Sequence, residues 1–223
     1  MVSPQKFEFF NKLDHEKLYE ALKYANDGAA DSYCTGECTY IHCTMSSMNM
    51  YEDICKKINK FFSSLCSTRQ GNRWFNSLTS NNYEYINYWL NVKLNNEESK
   101  FNSLSNTLSE RMKKDGNQCF NKDLFKNTLK YIQKNDFDYM KNIDDLYRNY
   151  SNMGYLLKSG KSSNMSCLDY ARECHKIYEL SIKECPNKGN ELYKALETFK
   201  TTYESFFGDQ TIGSSCHFPD LNK

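Results

Sequence analysis

Thiols and imidazoles are the side chains of this chain best suited to chemistry, and two groupings of them come first. Cys34, Cys38, His42 and Cys43 share one short segment and are residue types that hold zinc. Their Cys-x-x-x-Cys spacing is looser than a zinc knuckle, and no second matching pair follows, so disulfides are the better use of these sulfurs. Cys174 and His175 put a nucleophile next to a base. Adjacent side chains on a helix diverge by about 100°, so the two are not poised to exchange a proton. The carboxylate pairs Glu97-Glu98 and Asp144-Asp145 diverge in the same way and read as solvated surface. There is no glycine-rich phosphate loop, nucleophile elbow or His-Glu-x-x-His motif. The residues therefore predict no enzymatic activity, no cofactor and no resident metal.

The sulfurs are better explained as cross-links. Ten cysteines are many for a reducing compartment, and an even count is what a fully paired extracellular framework requires. Cys167, Cys174 and Cys185 follow one another at steps of seven and eleven, which return to one stripe of a helix shared with Ala171, Ile177, Tyr178 and Ile182. Even the closer two would stand about 10 Å apart along the axis, beyond the roughly 7 Å that a disulfide spans. Cys55 and Cys66, also eleven apart, would be separated by about 16 Å. Each must look elsewhere. The expectation is that all ten, Cys34, Cys38, Cys43, Cys55, Cys66, Cys119, Cys167, Cys174, Cys185 and Cys216, are bonded, mostly a loop cysteine to a helical one. Such bonds would pin the irregular segments 28–43 and 208–223 onto a helical body.

The elements that would position these groups are helices. Phe7, Phe10 and Leu13 give a first apolar side after Ser3-Pro4, and Leu18, Leu22 and Ala25 a second, which Asn26-Asp27-Gly28 ends. From Thr44 onward, Met48, Tyr51, Ile54, Cys55, Ile58, Phe61, Phe62 and Leu65 recur at three and four. Ser67 to Asn82 is polar and reads as a loop carrying Arg69, Asn72 and Arg73, with Trp74 and Phe75 as core plugs. Tyr83 to Leu94 has an apolar face so wide that it predicts a central helix with neighbours on more than one side.

Phe101, Leu104, Leu108 and Met112 mark the next helix, and Asn121 or Asp123 opens a shorter one through Phe125, Leu129 and Ile132. Asp136 is the expected cap of the longest run, through Met140, Ile143, Leu146 or Tyr147, Tyr150, Met153 and Leu157, with the helix breaker Gly154 inside it. Ser159 to Ser163 is a flexible connection, and a last helix starts at Gly189 or Asn190 and is stopped by Gly208. No strand-length alternation competes, so the fold class is all-α: one multi-helix bundle over 1–223, its main body 44–207, stapled by disulfides.

Composition narrows the partners. Lys plus Arg number 29 against 28 Asp plus Glu, a net charge of +1, which offers no basic field to nucleic acid or to an anionic bilayer. The 17 Tyr and 14 Phe are then core rather than base-stacking platforms. Met1 to Phe10 has no leader-like apolar run, and no stretch approaches the ~18 apolar residues of a membrane span, so the chain reads as an excised ectodomain. Asn149-Tyr150-Ser151 and Asn164-Met165-Ser166 fit the glycosylation pattern.

One stretch carries a likeness. Tyr85-Ile86-Asn87-Tyr88-Trp89-Leu90-Asn91 looks like a Tyr-x-x-Tyr-Trp-Leu signature. Lys17-Leu18-Tyr19, Cys119-Phe120 before Leu124-Phe125, Leu146 to Tyr150, and Cys167 to Cys174 around Tyr170 accompany it. With these residues the chain resembles the ectodomain of the Plasmodium interspersed repeat proteins, the vir-type variant surface antigens of malaria parasites. The resemblance implies a helical extracellular domain on infected red cells or parasite membranes, anchored by a C-terminal transmembrane helix that is absent from this chain. It implies no enzymatic activity, and a host cell-surface receptor and host antibodies as partners, in immune evasion or cytoadhesion. The alternative is an antigenic decoy with no dedicated receptor. Cys38, Cys43, Cys55 and Cys66 exceed the family's smallest cysteine pattern, which leaves the pairing open. Receptor contact is expected on two loops, at Arg69, Asn72 and Arg73 and at Tyr155, Lys158 and Lys161, because loop side chains can change without disturbing a core.

Overall fold

The structure, a computed structural model, describes residues 6–26, 40–43, 51–66, 69–70, 73–74, 78–112, 119–159, 165–185, 187–206 and 221. Within them the fold is all-α, as the periodicities predict. The helices are α1 (Glu8–Asn11), α2 (His15–Asn26), α3 (Glu52–Cys66), α4 (Ser80–Lys93), α5 (Glu98–Arg111), α6 (Lys122–Thr128), α7 (Lys134–Ser159), α8 (Cys167–Lys183) and α9 (Glu191–Ser205). The chain forms two compact units, Glu16–Lys134 and the pair of segments Met1–His15 and Asn135–Lys223.

In the unit Glu16–Lys134, α4 is the central helix. A reciprocal cap starts it, with Asn82 N donating to Thr79 Oγ1 at 3.4 Å and Thr79 N to Asn82 Oδ1 at 2.9 Å. Every residue from Tyr85 to Asn91 is buried. Beside α4, the Phe62 ring meets Tyr40, Tyr83, Phe120 and Phe125 at centroid distances of 5.8, 5.9, 5.1 and 5.2 Å. Three of these four contacts are T-shaped, a geometry that matches ring edge to ring face.

The same unit ties down its irregular backbone. Tyr40 N and Ile41 N donate to Asn59 Oδ1 of α3 at 3.1 and 3.0 Å, and Asn59 Nδ2 donates back to Ile41 O at 2.9 Å. The Cys43–Cys55 disulfide closes the same segment onto α3, and Cys66–Cys119 joins the end of α3 to the approach to α6. Both bonds join a loop cysteine to a helical one, as expected. Asn87 and Asn91, one turn apart on α4, do similar work: Lys130 N donates to Asn87 Oδ1 at 2.8 Å and Ile132 N to Asn91 Oδ1 at 3.1 Å. Helix α6 consequently stops at Thr128 and does not run to Ile132, since these amides hold side-chain acceptors in place of helical carbonyls.

In the other unit, α7 is the long element. It begins at Lys134, so Asp136 lies in its first turn and is not its cap; the Asp136 carboxylate instead accepts from Lys6 Nζ at 2.7 Å. The helix passes through Gly154, where a side chain would meet only the Phe206 ring at 3.7 Å. The rings of Tyr147 and Phe199 join α7 to α9 at 5.1 Å, and Tyr150 meets Phe206 at 5.3 Å. Helix α8 opens with a reciprocal Ser166–Asp169 cap and buries Ala171, Cys174, Tyr178 and Ser181. Asn190 caps α9, accepting from Leu192 N at 2.8 Å.

The expectation that all ten cysteines are paired is corrected at two positions. Cys174 and Cys185 are free thiols. Cys174 Sγ is enclosed against α7 and donates to Leu146 O at 3.7 Å, while Cys185 Sγ, past the end of α8, donates to Ser181 O at 3.4 Å. Cys167 is disulfide-bonded. Cys34, Cys38 and Cys216 lie outside the described residues.

Candidate recognition surfaces

The two segments expected to meet a partner differ from the sequence reading. Within 67–82, strands β1 (Arg69–Gln70) and β2 (Arg73–Trp74) form a small antiparallel ribbon, and α4 already begins at Ser80. Arg69 stands opposite Trp74 and Gln70 opposite Arg73, so the two arginines occupy different rungs. Gly71-Asn72 between two short runs is a hairpin signal that could have found this ribbon. Asn72 itself, like Lys161, lies outside the described residues.

Tyr155 and Lys158 are not on a loop. They lie on the last turns of α7, which continues to Ser159 because a buried glycine in a well-packed helix does not end it. Three residues apart, they share one face, and both are exposed. Tyr155 is 51 % exposed, and with Val92 on α4 and Leu180 on α8 it is one of the large apolar side chains exposed among the described residues.

The Cys174–His175 and Cys43–His42 pairs are closed to thiolate chemistry. Burial, reinforced by the neighbouring Glu173 carboxylate, pushes the Cys174 thiol up to about 12, so no useful fraction ionises near neutral pH. His175 does not face it; its Nδ1 lies 4.0 Å from Glu179 one turn on. Cys43 is committed to its disulfide and cannot serve as a thiolate beside His42. No group of three metal-binding side chains occurs among the described residues. A cleft of about 250 Å³ opens between α1 and α9, lined by Glu8, Lys12, Glu191 and Lys194 around Asn11, Ala195 and Thr198. Its charges are matched in number, and Lys12 Nζ already meets Glu8 at 2.7 Å.

A polar cluster in the same unit was not foreseen. The His15 ring lies flat on Tyr147, centroids 4.0 Å apart, with Nε2 2.6 Å from Phe10 O. The Tyr147 hydroxyl donates to Asn11 Oδ1 at 2.6 Å, and buried Asp144 receives Arg148 at 2.7 Å. Burial lowers the His15 ring to about 4 against the smaller opposing effects of the Phe10 carbonyl, Asp144 and Asp14. Burial and the Asp144 charge together raise the Asp145 carboxyl, with Arg148 and Lys141 opposing. The sequence gives one clue: His15 and Tyr147 are amphipathic rings at the margin of apolar stripes.

No protein-family model, no curated protein and no solved structure matches this chain.

Proposed function

We propose that this chain is the ectodomain of a vir-type variant surface antigen of a malaria parasite and that it binds a host cell-surface receptor. It would stand on the extracellular face of an infected red cell or parasite membrane, within reach of host antibodies. The observation that supports this reading is a division of labour. The stretch that carries the resemblance, Tyr85 to Asn91, is interior along its whole length, while Tyr155 and Lys158 are exposed on a rigid helix. A protein built in this way can vary its exposed side chains at little cost in stability, because surface substitutions away from caps and networks change stability by only about 0.5 kcal/mol.

The test is a binding screen of the multimerised chain against an array of human cell-surface receptors, with a reduced and alkylated sample as control; multimer display lets avidity reveal weak contacts. One saturable partner is expected, lost in the control and weakened at least tenfold by Tyr155→Ala with Lys158→Glu. A clean negative across a broad array would overturn receptor binding and leave the antigenic decoy.

A further inference from the structure

We propose that His15 is the acid-sensitive element of a latch that holds α1 on α7, and that protonation of its ring releases the N-terminal segment. The segment meets α7 through Lys6 on Asp136 at 2.7 Å and the Phe7 ring on Tyr139 at 6.4 Å, and the latch adds two attachments at Tyr147. The Tyr147 hydroxyl holds Asn11, the last residue of α1, at 2.6 Å, and its ring face carries the His15 imidazole at an interplanar angle of 4°. His15 Nε2 then reaches back to Phe10 O at 2.6 Å. A carbonyl oxygen only accepts, so Nε2 carries the hydrogen and Nδ1 is the bare nitrogen of a neutral ring. Helix α1 is a single turn; Leu13 N reaches Phe10 O only at 3.5 Å, so the imidazole is the closer donor to that carbonyl.

Protonation at Nδ1 would place a cation in a site shaped for a neutral ring. Among the described residues, Asp14, immediately before it, and Asp144 from α7, which is already engaged by Arg148 at 2.7 Å, act on the ring. From α9 the ring of Phe199 and the uncharged Thr202 hydroxyl face Tyr147. Neither carboxylate makes up for lost hydration, and the ring is lowered to about 4 from 6.5. The sign follows: between these values the released state binds one more proton than the latched state. The latch is therefore fully formed above pH 6.5 and weakens as pH falls toward 4.

Amide hydrogen exchange of residues 6–13 in the full chain, corrected for intrinsic rates, reads the opening directly. The opening constant is expected to rise on the order of 10²-fold between pH 7 and pH 4. In His15→Phe, which keeps a flat ring and cannot titrate, that pH dependence should disappear. Persistence of the same rise in His15→Phe, or no rise in the parent, would overturn the latch. The His15 ring resonance gives a second reading that needs no variant: a midpoint well below 6.5 supports the latch, and one near 6.5 overturns it.

Discussion

In Glu16–Lys134 three stretches of irregular backbone are held from outside themselves: 40–43 by Asn59 and Cys43–Cys55, Cys119 by Cys66, and 130–132 by Asn87 and Asn91. In the unit of Met1–His15 and Asn135–Lys223, α7 and α9 meet through aromatic rings; Cys174 stays a thiol inside the core, although Cys167 at the start of α8 is disulfide-bonded. The difference follows backbone regularity. A helix satisfies its own amides, so apolar burial is enough to hold it; an extended segment brings unpaired amides and must be given partners. In Glu16–Lys134 the described cross-links and the buried asparagines of α4 therefore serve backbone that is not helical.

Reduction should break this contrast most severely. Two disulfides described within Glu16–Lys134 close loops of sequence separation 12 and 53. By loop entropy they contribute about 3 and about 4 kcal/mol respectively. Denaturant unfolding with and without reductant, read by hydrogen exchange, should show that unit losing protection far more than α7 and α9. Equal losses in both units would remove the contrast. Alkylation under denaturing, non-reducing conditions should first label Cys174 and Cys185, and leave Cys43, Cys55, Cys66, Cys119 and Cys167 unlabelled.

Asn91→Ala comes next. It strips the acceptor from Ile132 N and the donor from Asn87 O, both buried bonds, and the donor from part-buried Lys130 O, and should cost about 3 kcal/mol in equilibrium unfolding. A loss below about 1 kcal/mol would mean that 130–132 is held by apolar burial after all.

Asn96→Gly tests the same unit in the opposite direction. Asn96 has φ 54° and a side-chain amide buried with no hydrogen-bond partner, so glycine should stabilise by about 1 kcal/mol. The smallest effect belongs to the other unit. Gly154→Ala improves helix propensity and brings a methyl into ordinary contact with Phe206, which should raise stability by about 0.5–1 kcal/mol. A destabilised Gly154→Ala would show that α7 and Phe206 are packed too closely to accept the methyl group.

The helices were legible because periodicity is a local property: Ile58, Phe61 and Phe62, and likewise Leu192, Leu196 and Phe199, announce a face without reference to the rest of the chain. The Asn190 cap was legible for the same reason. The asparagine clamps were not, since Asn87 and Asn91 find their partners about forty positions away, and a polar residue on an apolar face signals only that some partner is needed. Cysteine arithmetic misled at Cys174 and Cys185, because an even count permits full pairing without requiring it. At the recognition surface, residue type pointed to exposure for Tyr155 and Lys158. It missed the helix under them, because Gly154 weakens propensity by an amount that the Tyr150 and Phe206 contacts readily outweigh.

The Cys66–Cys119 bond also bears on load. If the chain is pulled from its two ends, force arriving at Cys66 crosses to Cys119 through the sulfurs and bypasses the backbone between them. Those residues, α4 and α5 included, would otherwise pay out about 180 Å of extended chain. The bond withholds that length, so the helix at the centre of this unit is shielded from tension that its neighbours must bear.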